Sequence, residues 1–284
     1  MQPYKTISND EYRAMDGWSS TQIKQVVQHS IERALIPLKD SEALQFGRAF
    51  HTYMEDPSQF LTEYAVFDDE QLIADILAKR PDISAPTMTK DYKTAKSQFD
   101  ADNADKIIIG LQDFNTLERM RVETMKNPMV ENLMQSYVNE PILEGSFFST
   151  IDVPADFTGD HDDLSVLCKA RPDFLAETKD GLHYMVDWKS CRDASPKGFR
   201  SDFFRFRYDV QAVFYSMVVG INPQHFYFVA IEKEEPFNVG VYNLSPETIQ
   251  GAYDEVHDAL RRIALYELGA LAPKIQSYGE VVCL

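Results

Sequence analysis

The sequence predicts an α/β fold, in which a mixed β-sheet is flanked by helices. In the first half of the chain, apolar residues recur three to four positions apart, which is the spacing of amphipathic helices. In the second half, short segments rich in aromatic and β-branched residues predict strands. The resulting order of helices, strands, helix, strands and helix is typical of a sheet with helices packed on its faces.

Helices are predicted throughout the N-terminal half, between residues 18 and 136. Ser19 and Gln22 have the spacing of a capping box, in which two side chains satisfy backbone N–H groups where a helix begins. The polar, proline-containing segment 80–96 is predicted to be a mobile loop. The further helices are predicted over residues 41–55, 69–79, 89–101 and 112–126, with a short helix after Pro128.

Strands are predicted from residue 144 onwards. One continuous helix, from residue 199 to 219, is predicted between the third and the fourth strand, and Ser245 with Pro246 begins a final helix. The five predicted strands cover residues 145–151, 164–170, 183–190, 225–231 and 238–244.

Composition limits the classes of function. The 284 residues include 28 Lys and Arg against 45 Asp and Glu, a net charge of −17, which argues against nucleic-acid binding over the whole surface. No apolar run is long enough to cross a bilayer, and the polar N-terminus does not resemble a signal peptide. The three cysteines are far apart, which argues against a zinc or iron–sulfur site and indicates a reducing, cytoplasmic location.

Two acidic residues and a lysine are predicted to lie together on neighbouring strands. Asp173 is predicted at the end of one strand, and Asp187 and Lys189 lie on the next. Residues i and i+2 of a strand point to the same face, so Asp187 and Lys189 share a face. They follow the apolar residues Met185 and Val186 in a strand that is predicted to be buried. Buried charges are costly unless they are paired or bind a metal.

This set of groups suits metal-assisted hydrolysis of a phosphodiester. Carboxylate oxygens hold Mg²⁺ or Mn²⁺, which acidifies a bound water and neutralises phosphate charge. A neighbouring ammonium can orient or help to deprotonate that water and can stabilise developing negative charge. The alternative is a structural Asp–Lys pair at a strand end, since an Asp and a Lys two residues apart occur by chance in many proteins.

Further candidate residues lie outside these strands. Gln211 and Tyr215 are four residues apart on a predicted helix and share a face, although an amphipathic helix with a core tyrosine explains them too. His51 lies on a helix, with Gly47 one turn earlier allowing close packing. Glu144 stands at the start of the first predicted strand. A lone helical histidine is commonly structural, and an acid at a strand start is commonly solvated.

Taken together, these motifs resemble the PDDEXK nuclease superfamily, and in particular its RecE/exonuclease VIII-like branch, which is similar to the RecB nuclease domain and to lambda-type exonucleases. The motifs are G-R-A-F-H, an upstream Glu, R-P-D, D-W-K and Q-x-x-x-Y, and the resemblance covers most of the chain. It implies a restriction-endonuclease-like core in residues 141–284. Residues 1–140 are then a helical elaboration that contributes the His51 helix, and the whole is one structural unit. The resemblance implies catalytic roles for Asp173, Asp187, Lys189, Gln211 and Tyr215.

The resemblance also implies a divalent cofactor, Mg²⁺ or Mn²⁺. The cysteine quartet of the iron–sulfur members is missing from this chain, so no iron–sulfur cluster is expected. The implied metal ligands are His51, Asp173, Asp187, the backbone carbonyl of Trp188 and Glu144.

A local basic region makes DNA binding compatible with the acidic composition. Residues 169–208 contain nine Lys and Arg against six Asp and Glu, a local charge of +3. Arginine alternates with phenylalanine near the end of this region, which suits phosphate contacts and base stacking, although a basic exposed helix face explains the pattern as well. The candidate DNA-binding residues are Arg171, Arg192, Lys197, Arg200, Arg205 and Arg207.

The function implied by the resemblance is an Mg²⁺-dependent DNA exonuclease. It would act on duplex ends, 5′ to 3′, and leave 3′ single strands for recombination in a bacterium or a phage-infected host. Implied partners are double-stranded DNA ends, a strand-annealing protein and further copies of the chain in a ring. The alternatives are an endonuclease with the same core and a catalytically inactive DNA-binding module.

Overall fold

The computed structural model describes residues 4–37, 39, 41–153 and 164–271. Helices dominate the first half of the described residues, and helices from both halves pack against the five-stranded sheet. Two short 3-10 helices add to them, at Pro86–Met88 and Pro223–His225. The α-helices are α1 (Asn9–Ala14), α2 (Ser20–Gln28), α3 (Ile31–Ala34), α4 (Glu42–Glu55), α5 (Pro57–Glu63), α6 (Asp69–Lys79), α7 (Lys90–Asp102), α8 (Leu111–Met125), α9 (Pro128–Gln135), α10 (Pro196–Arg205), α11 (Tyr208–Val219) and α12 (Pro246–Glu267).

The strands are distributed over sheets of five, four and two strands within the described residues. They are β1 (Tyr4–Lys5), β2 (Trp18–Ser19), β3 (Tyr64–Phe67), β4 (Ile107–Gly110), β5 (Ile142–Leu143), β6 (Ser146–Val153), β7 (Leu164–Ala170), β8 (Phe174–Glu177), β9 (His183–Cys191), β10 (Phe226–Glu232) and β11 (Val239–Tyr242).

The larger sheets are mixed. The five-stranded sheet has the order β11-β10-β9-β8-β5, and its β9–β10 pair is parallel while the other pairs are antiparallel. The four-stranded sheet has the order β1-β6-β7-β2, with only β2–β7 parallel. Strands β3 and β4 form a separate parallel pair. This architecture of mixed sheets flanked by helices confirms the predicted fold class.

The five-stranded sheet separates two apolar cores. Alternate residues of β9 face opposite sides, so Met185 packs in the core formed with α11 and α12, while Val186 and Trp188 pack in the core formed with α4 and α8. Phe50 of α4 is completely buried in the second core. Helix α4 is thereby fixed against β9, which carries the predicted acid and lysine.

The N-terminal residues also join the second half of the chain directly. Strands β1 and β2 pair with β6 and β7, at the two edges of the four-stranded sheet. The buried Trp18 donates its indole N–H to Glu267 at the end of α12, over 2.7 Å. Arg262 donates to the backbone carbonyl of Val26, over 2.9 Å. These contacts connect residues more than 230 positions apart.

Several helices begin at side chains that cap their first backbone N–H groups. The predicted capping box of Ser19 and Gln22 is present at the start of α2, and Ser245 accepts a hydrogen bond from the Thr248 backbone N–H at the start of α12. The predicted helices 69–79 and 112–126 are observed within one residue of these bounds. In the described ranges, no helix is long and apolar enough to span a membrane.

The structure corrects three expectations. The predicted helix 199–219 is two helices, α10 and α11, because Arg207 adopts a left-handed conformation with φ of 53° between them. The predicted loop 80–96 ends at residue 89, because α7 begins at Lys90 with Thr89 as its cap. Asp173 does not end a strand but directly precedes β8, which is a strand additional to those predicted.

Candidate active site and metal centre

Asp187 and Lys189 lie on the same side of β9, as the i, i+2 spacing predicts, and their side chains form an ion pair. Asp187 is 2% exposed, and the Lys189 side chain is 12% exposed. Burial raises the pKa of Asp187, and the nearby charge of Asp173 adds to the rise, while Lys189 opposes it. Burial lowers the pKa of Lys189, but attraction to Asp187 outweighs this and the pKa is raised overall. Lys189 is therefore an ammonium at neutral pH.

Gln211 of α11 contacts this pair, and Tyr215, one turn further along the helix, lies near Asp187 and Asp173. The buried Gln211 donates its side-chain amide to Oδ1 of Asp187 over 2.5 Å. Burial raises the pKa of the Tyr215 phenol well above its usual range, and the charges of Asp187 and Asp173 add to this. Tyr215 is thus a neutral phenol near both acids.

Asp173, the residue directly before β8, contacts β9 at Trp188. One of its oxygens, Oδ2, accepts the Trp188 backbone N–H over 2.9 Å and lies 3.0 Å from Nδ1 of His51. Burial alone would raise the pKa of Asp173, but the His51 charge and these hydrogen bonds lower it. For His51, burial lowers the pKa, and attraction to Asp173 reverses this to a net rise.

Glu55 is a site residue that our sequence analysis missed. It lies four residues after His51 on α4, so both side chains share a helix face. A helical His-x-x-x-Glu spacing is the signal that identifies such a pair. Its Oε1 is buried and accepts no hydrogen bond. Burial raises the pKa of Glu55 well above its usual range, and the charges of Asp173 and Glu144 raise it further.

His51, Glu55 and Asp173 fit a divalent cation. Each offers one ligand atom, and these atoms all lie within 4.8 Å of one another. The set combines two carboxylate oxygens, the donors that suit Mg²⁺ and Mn²⁺, with one imidazole nitrogen, a common ligand of divalent transition metals. A buried carboxylate oxygen without a hydrogen-bond partner is costly unless a cation satisfies it.

The expectation that Gly47 allows close packing of the His51 helix is wrong, because a Cβ at Gly47 would meet nothing within 4 Å.

The backbone N–H and C=O groups of Trp188 point to the side on which Asp173 lies. Pairing of β8 with β9 ends at Phe174 and Val186, so Trp188 lies beyond the last paired residue. The N–H and C=O of a strand residue point to the same edge, and the Trp188 N–H donates to Asp173. The carbonyl of Trp188 is therefore directed to the edge that faces Asp173, where we predict a ligand.

Glu144 lies at the border of the site, but its carboxylate is paired with Arg171. Its carboxylate accepts a hydrogen bond from Arg171 over 2.7 Å, and its backbone has a φ of 46°. Left-handed backbone is costly for a residue with a side chain and is tolerated where the surroundings hold it. Gly145, which follows, is required because a Cβ there would lie 2.4 Å from Ile142.

A second lysine lies beside the acid–lysine pair and was also missed. The ammonium of Lys24, on α2, lies 5.8 Å from the ring centre of Tyr208, and that of Lys189 lies 4.9 Å from the same centre. Burial and the charge of Lys189 lower the pKa of Lys24 to about 8. No local sequence signal identifies Lys24, because its position depends on how α2 packs against α11.

The predicted DNA-binding residues fall into two groups. Arg171 donates inward to Glu144, Ser146 and the Ile7 carbonyl, and Arg207 pairs with Asp209 and Glu255. These two arginines stabilise the fold around the site. The exposed members are Arg192, Lys197, Arg200 and Arg205.

A comparison with protein-family models shows the family of this chain. The family model for a PDDEXK-like domain of unknown function, DUF3799, matches residues 8–276. The chain belongs to this family. The resemblance to the PDDEXK superfamily that the motifs indicated is thereby confirmed. No curated protein matches the chain.

One solved structure agrees with this family at the level of the fold. A crystal structure described as "Putative exonuclease" from Eubacterium rectale superposes with a TM-score of 0.56 at 12% identity, covering 99% of this chain and 96% of that chain. A second structure, SSO0001, has a TM-score of 0.29 at 15% identity and covers 75% of this chain and 85% of that chain. At 12% identity, the first likeness supports the fold of this PDDEXK-like protein.

Proposed function

We propose that this PDDEXK-like protein is a divalent-metal-dependent deoxyribonuclease. The single observation that supports this most strongly is that His51, Glu55 and Asp173 meet within 4.8 Å, beside the buried Asp187–Lys189 pair. Ligand atoms and an ammonium from α4, β9 and the start of β8 converge there. An ion pair that served only the fold would not require this second group of ligands.

Metal binding is proposed for His51, Glu55 and Asp173, with Asp187 and the Trp188 carbonyl as further ligands. Mg²⁺ or Mn²⁺ held there supplies charge neutralisation at a phosphoryl oxygen and acidifies water. Asp173 suits this role because its lowered pKa keeps it ionised. The second predicted acid, Glu144, is engaged by Arg171, and we assign to it only an electrostatic role.

Lys189 is proposed to stabilise the negative charge that develops on the phosphate during hydrolysis. Its raised pKa favours the ammonium, which suits electrostatic stabilisation better than proton abstraction. Asp187 holds this ammonium in place, and Gln211 fixes the orientation of Asp187. Tyr215 is a neutral hydrogen-bonding group on the same side of the site.

The finer activity is an inference from the family resemblance. It is an exonuclease acting on duplex ends, 5′ to 3′, in the cytoplasm of a bacterium or phage-infected host, together with a strand-annealing protein and in a ring of copies. An endonuclease with the same site, or an inactive DNA-binding module, is the competing function. The exposed basic residues Arg192, Lys197, Arg200 and Arg205 are the proposed DNA contacts.

Digestion of a linear duplex tests the activity. We expect Mg²⁺ or Mn²⁺ to support cleavage, EDTA to abolish it, and Lys189→Ala and Asp187→Ala to reduce it by about 100- to 1,000-fold, the scale of losing a main stabiliser of the transition state. Lys233→Ala, a lysine of the loop that follows β10, is the matched control and should cleave normally. Normal cleavage by the Lys189→Ala protein would contradict the assignment.

Substrates without ends separate the competing functions. An exonuclease leaves covalently closed circular DNA intact and digests it after linearisation, whereas an endonuclease attacks both. Duplexes with phosphorothioates at only the 5′ or only the 3′ ends report polarity, and protection by the 5′ set is expected. DNA binding without cleavage in any divalent metal would support the inactive module.

A further inference from the structure

Two exposed phenylalanines lie where α10 ends. Phe204 is 40% exposed and Phe206 is 44% exposed, although burying an aromatic ring is strongly favourable. They are two residues apart in sequence, and Phe206 adjoins Tyr208, the ring that lies beneath the Lys189 ammonium. Exposed aromatic rings at the edge of a site are typical of a binding surface.

Each of the two rings packs against a second aromatic ring, which restricts its motion. Phe204 packs edge-on against the buried Phe203, with 5.1 Å between ring centres, and Phe206 packs against Tyr208 with 5.8 Å between ring centres. Gln28 of α2 donates to the backbone carbonyl of Arg205 over 3.3 Å, which anchors the turn from a second helix. Fixed rings lose little conformational entropy when a ligand binds.

The turn between α10 and α11 sets their position. Arg207, in its left-handed conformation, is pinned by ion pairs with Asp209 and Glu255. Left-handed backbone at an arginine is costly and persists where such contacts hold it. The turn therefore presents Phe206 outward as a stable feature of the fold.

Each exposed ring has a guanidinium over it. The Arg200 guanidinium lies 5.2 Å from the Phe204 ring centre, and that of Arg205 lies 5.2 Å from the Phe206 ring centre. Flat apolar faces beside fixed positive charges complement a strand of nucleic acid, because every nucleotide offers a base to stack and a phosphate to pair.

The surface is continuous with the site. Phe206 contacts Tyr208, and the ring of Tyr208 lies under the ammonium of Lys189 at 4.9 Å. A strand whose phosphate lies at Lys189 would thus meet Phe206 with a neighbouring base. Paired bases within a duplex do not offer free faces, so the occupant that fits is an unpaired strand.

We propose that Phe204 and Phe206 form a stacking platform for unpaired bases of a DNA strand at the candidate active site. This rests on the proposed deoxyribonuclease function and deepens it, because it makes strand separation at the site part of substrate recognition. The arginines Arg200 and Arg205 hold the strand's phosphates while the two rings hold its bases.

Binding without metal tests the platform separately from cleavage. Fluorescence anisotropy in EDTA compares an oligothymidylate with an abasic oligonucleotide of the same length, which has phosphates but no bases. The wild-type protein should prefer the oligothymidylate by about tenfold, since stacking on an aromatic ring contributes several-fold per base. The Phe204→Ala/Phe206→Ala protein should bind both equally.

Matched variants separate stacking from general apolar contact and from charge. Phe206→Leu keeps an apolar side chain without a π-face and should lose part of the preference, whereas Phe206→Trp should retain it. Arg200→Ala/Arg205→Ala should weaken binding of both oligonucleotides and reduce the slope of log affinity against log salt by about two. Tyr4→Ala removes a 43% exposed aromatic ring from β1 and should leave the preference unchanged.

Full base preference in the double phenylalanine variant, or in Phe206→Leu, would overturn the platform. Unchanged oligonucleotide binding in every variant would overturn it as well and would indicate a protein partner for this surface. Cleavage assays on the same proteins distinguish the two proposals. Metal-dependent cleavage without base preference removes the platform alone, whereas base preference without cleavage supports the platform and removes the nuclease.

Discussion

Gln211 donates its side-chain amide to Oδ1 of Asp187 over 2.5 Å, within a site where both residues are buried. Lys189 pairs with the other oxygen, Oδ2, of the same carboxylate. Both carboxylate oxygens of Asp187 are thus held in place, one by the neutral amide of Gln211 from α11 and one by the ammonium of Lys189 from the same strand. We expect the loss of either contact to change the orientation of this acid without removing it.

The first prediction concerns Gln211. We expect Gln211→Ala to reduce the rate of DNA cleavage about 10- to 100-fold, the usual effect of removing a group that orients a ligand or catalytic residue. DNA affinity measured in EDTA should be unchanged, because the amide faces Asp187. Gln211→Glu should be worse, since a second buried carboxylate would repel Asp187. Gln224→Ala, at an exposed glutamine, is the control, and equal losses in Gln211→Ala cleavage and EDTA binding would contradict the positioning role.

The second prediction is that Glu55→Gln stabilises the metal-free protein. The pKa of Glu55 is raised well above its unfolded value, so ionising it costs folding free energy as pH rises from the unfolded pKa toward the folded one. Glutamine removes this cost. We expect the Tm in EDTA at pH 8 to rise by about 2 °C, corresponding to roughly 1 kcal/mol.

The same variant should bind metal less well. The rise in Tm on adding Mn²⁺ should be clearly smaller for Glu55→Gln than for the wild type, because one ligand charge is lost. Glu63→Gln, at an exposed glutamate on α5, should change neither value. An unchanged Mn²⁺-induced shift in Glu55→Gln would exclude Glu55 as a ligand.

Local spacing predicted part of this site. Asp187 and Lys189 face one side because strand residues alternate, and Gln211 and Tyr215 share a face because helix residues repeat every 3.6 positions. Glu55 was within reach of the same argument, since it lies four residues after His51. We missed it because a histidine was considered without its helical neighbours.

Other features depend on tertiary contacts that no local pattern encodes. The break at Arg207 is stabilised by Glu255, which lies 48 residues away, and propensity alone favours a continuous helix. Lys24 approaches Lys189 only through the packing of α2 against α11. Sequence motifs identified the family but did not predict that Arg171 points inward to Glu144.

The third prediction concerns pH and His51. Attraction to Asp173 raises the pKa of His51, and a protonated imidazole cannot bind a metal. Mn²⁺ affinity should therefore increase between pH 6 and pH 8, with proton release on binding. Titration calorimetry in buffers of different ionisation enthalpy measures that release.

A matched variant assigns the released proton. His51→Asn should release fewer protons than the wild type near pH 6.5, because its side chain does not titrate. His29→Asn, at an exposed histidine that ends α2, should behave like the wild type. Equal proton release by the His51→Asn and wild-type proteins would show that His51 does not bind the metal.

The fourth prediction concerns the charge of Lys24. Its pKa is lowered to about 8 by burial and by the neighbouring Lys189, so it is protonated below pH 8 and loses its charge above. A phosphate bound near both lysines favours the charged form. DNA affinity in EDTA should therefore fall between pH 7.5 and pH 9.5, because the free protein must take up a proton to bind.

Substitution by arginine isolates this effect, since a guanidinium stays charged throughout that range. We expect Lys24→Arg to keep its affinity to pH 9.5 and Lys24→Met to bind about fivefold more weakly at pH 7 with little dependence on pH, as the loss of one phosphate contact predicts. Lys5→Met, at an exposed lysine of β1, is the control for overall charge. If Lys24→Arg loses affinity with pH as steeply as the wild type, the titrating group lies elsewhere and Lys24 does not face the bound strand.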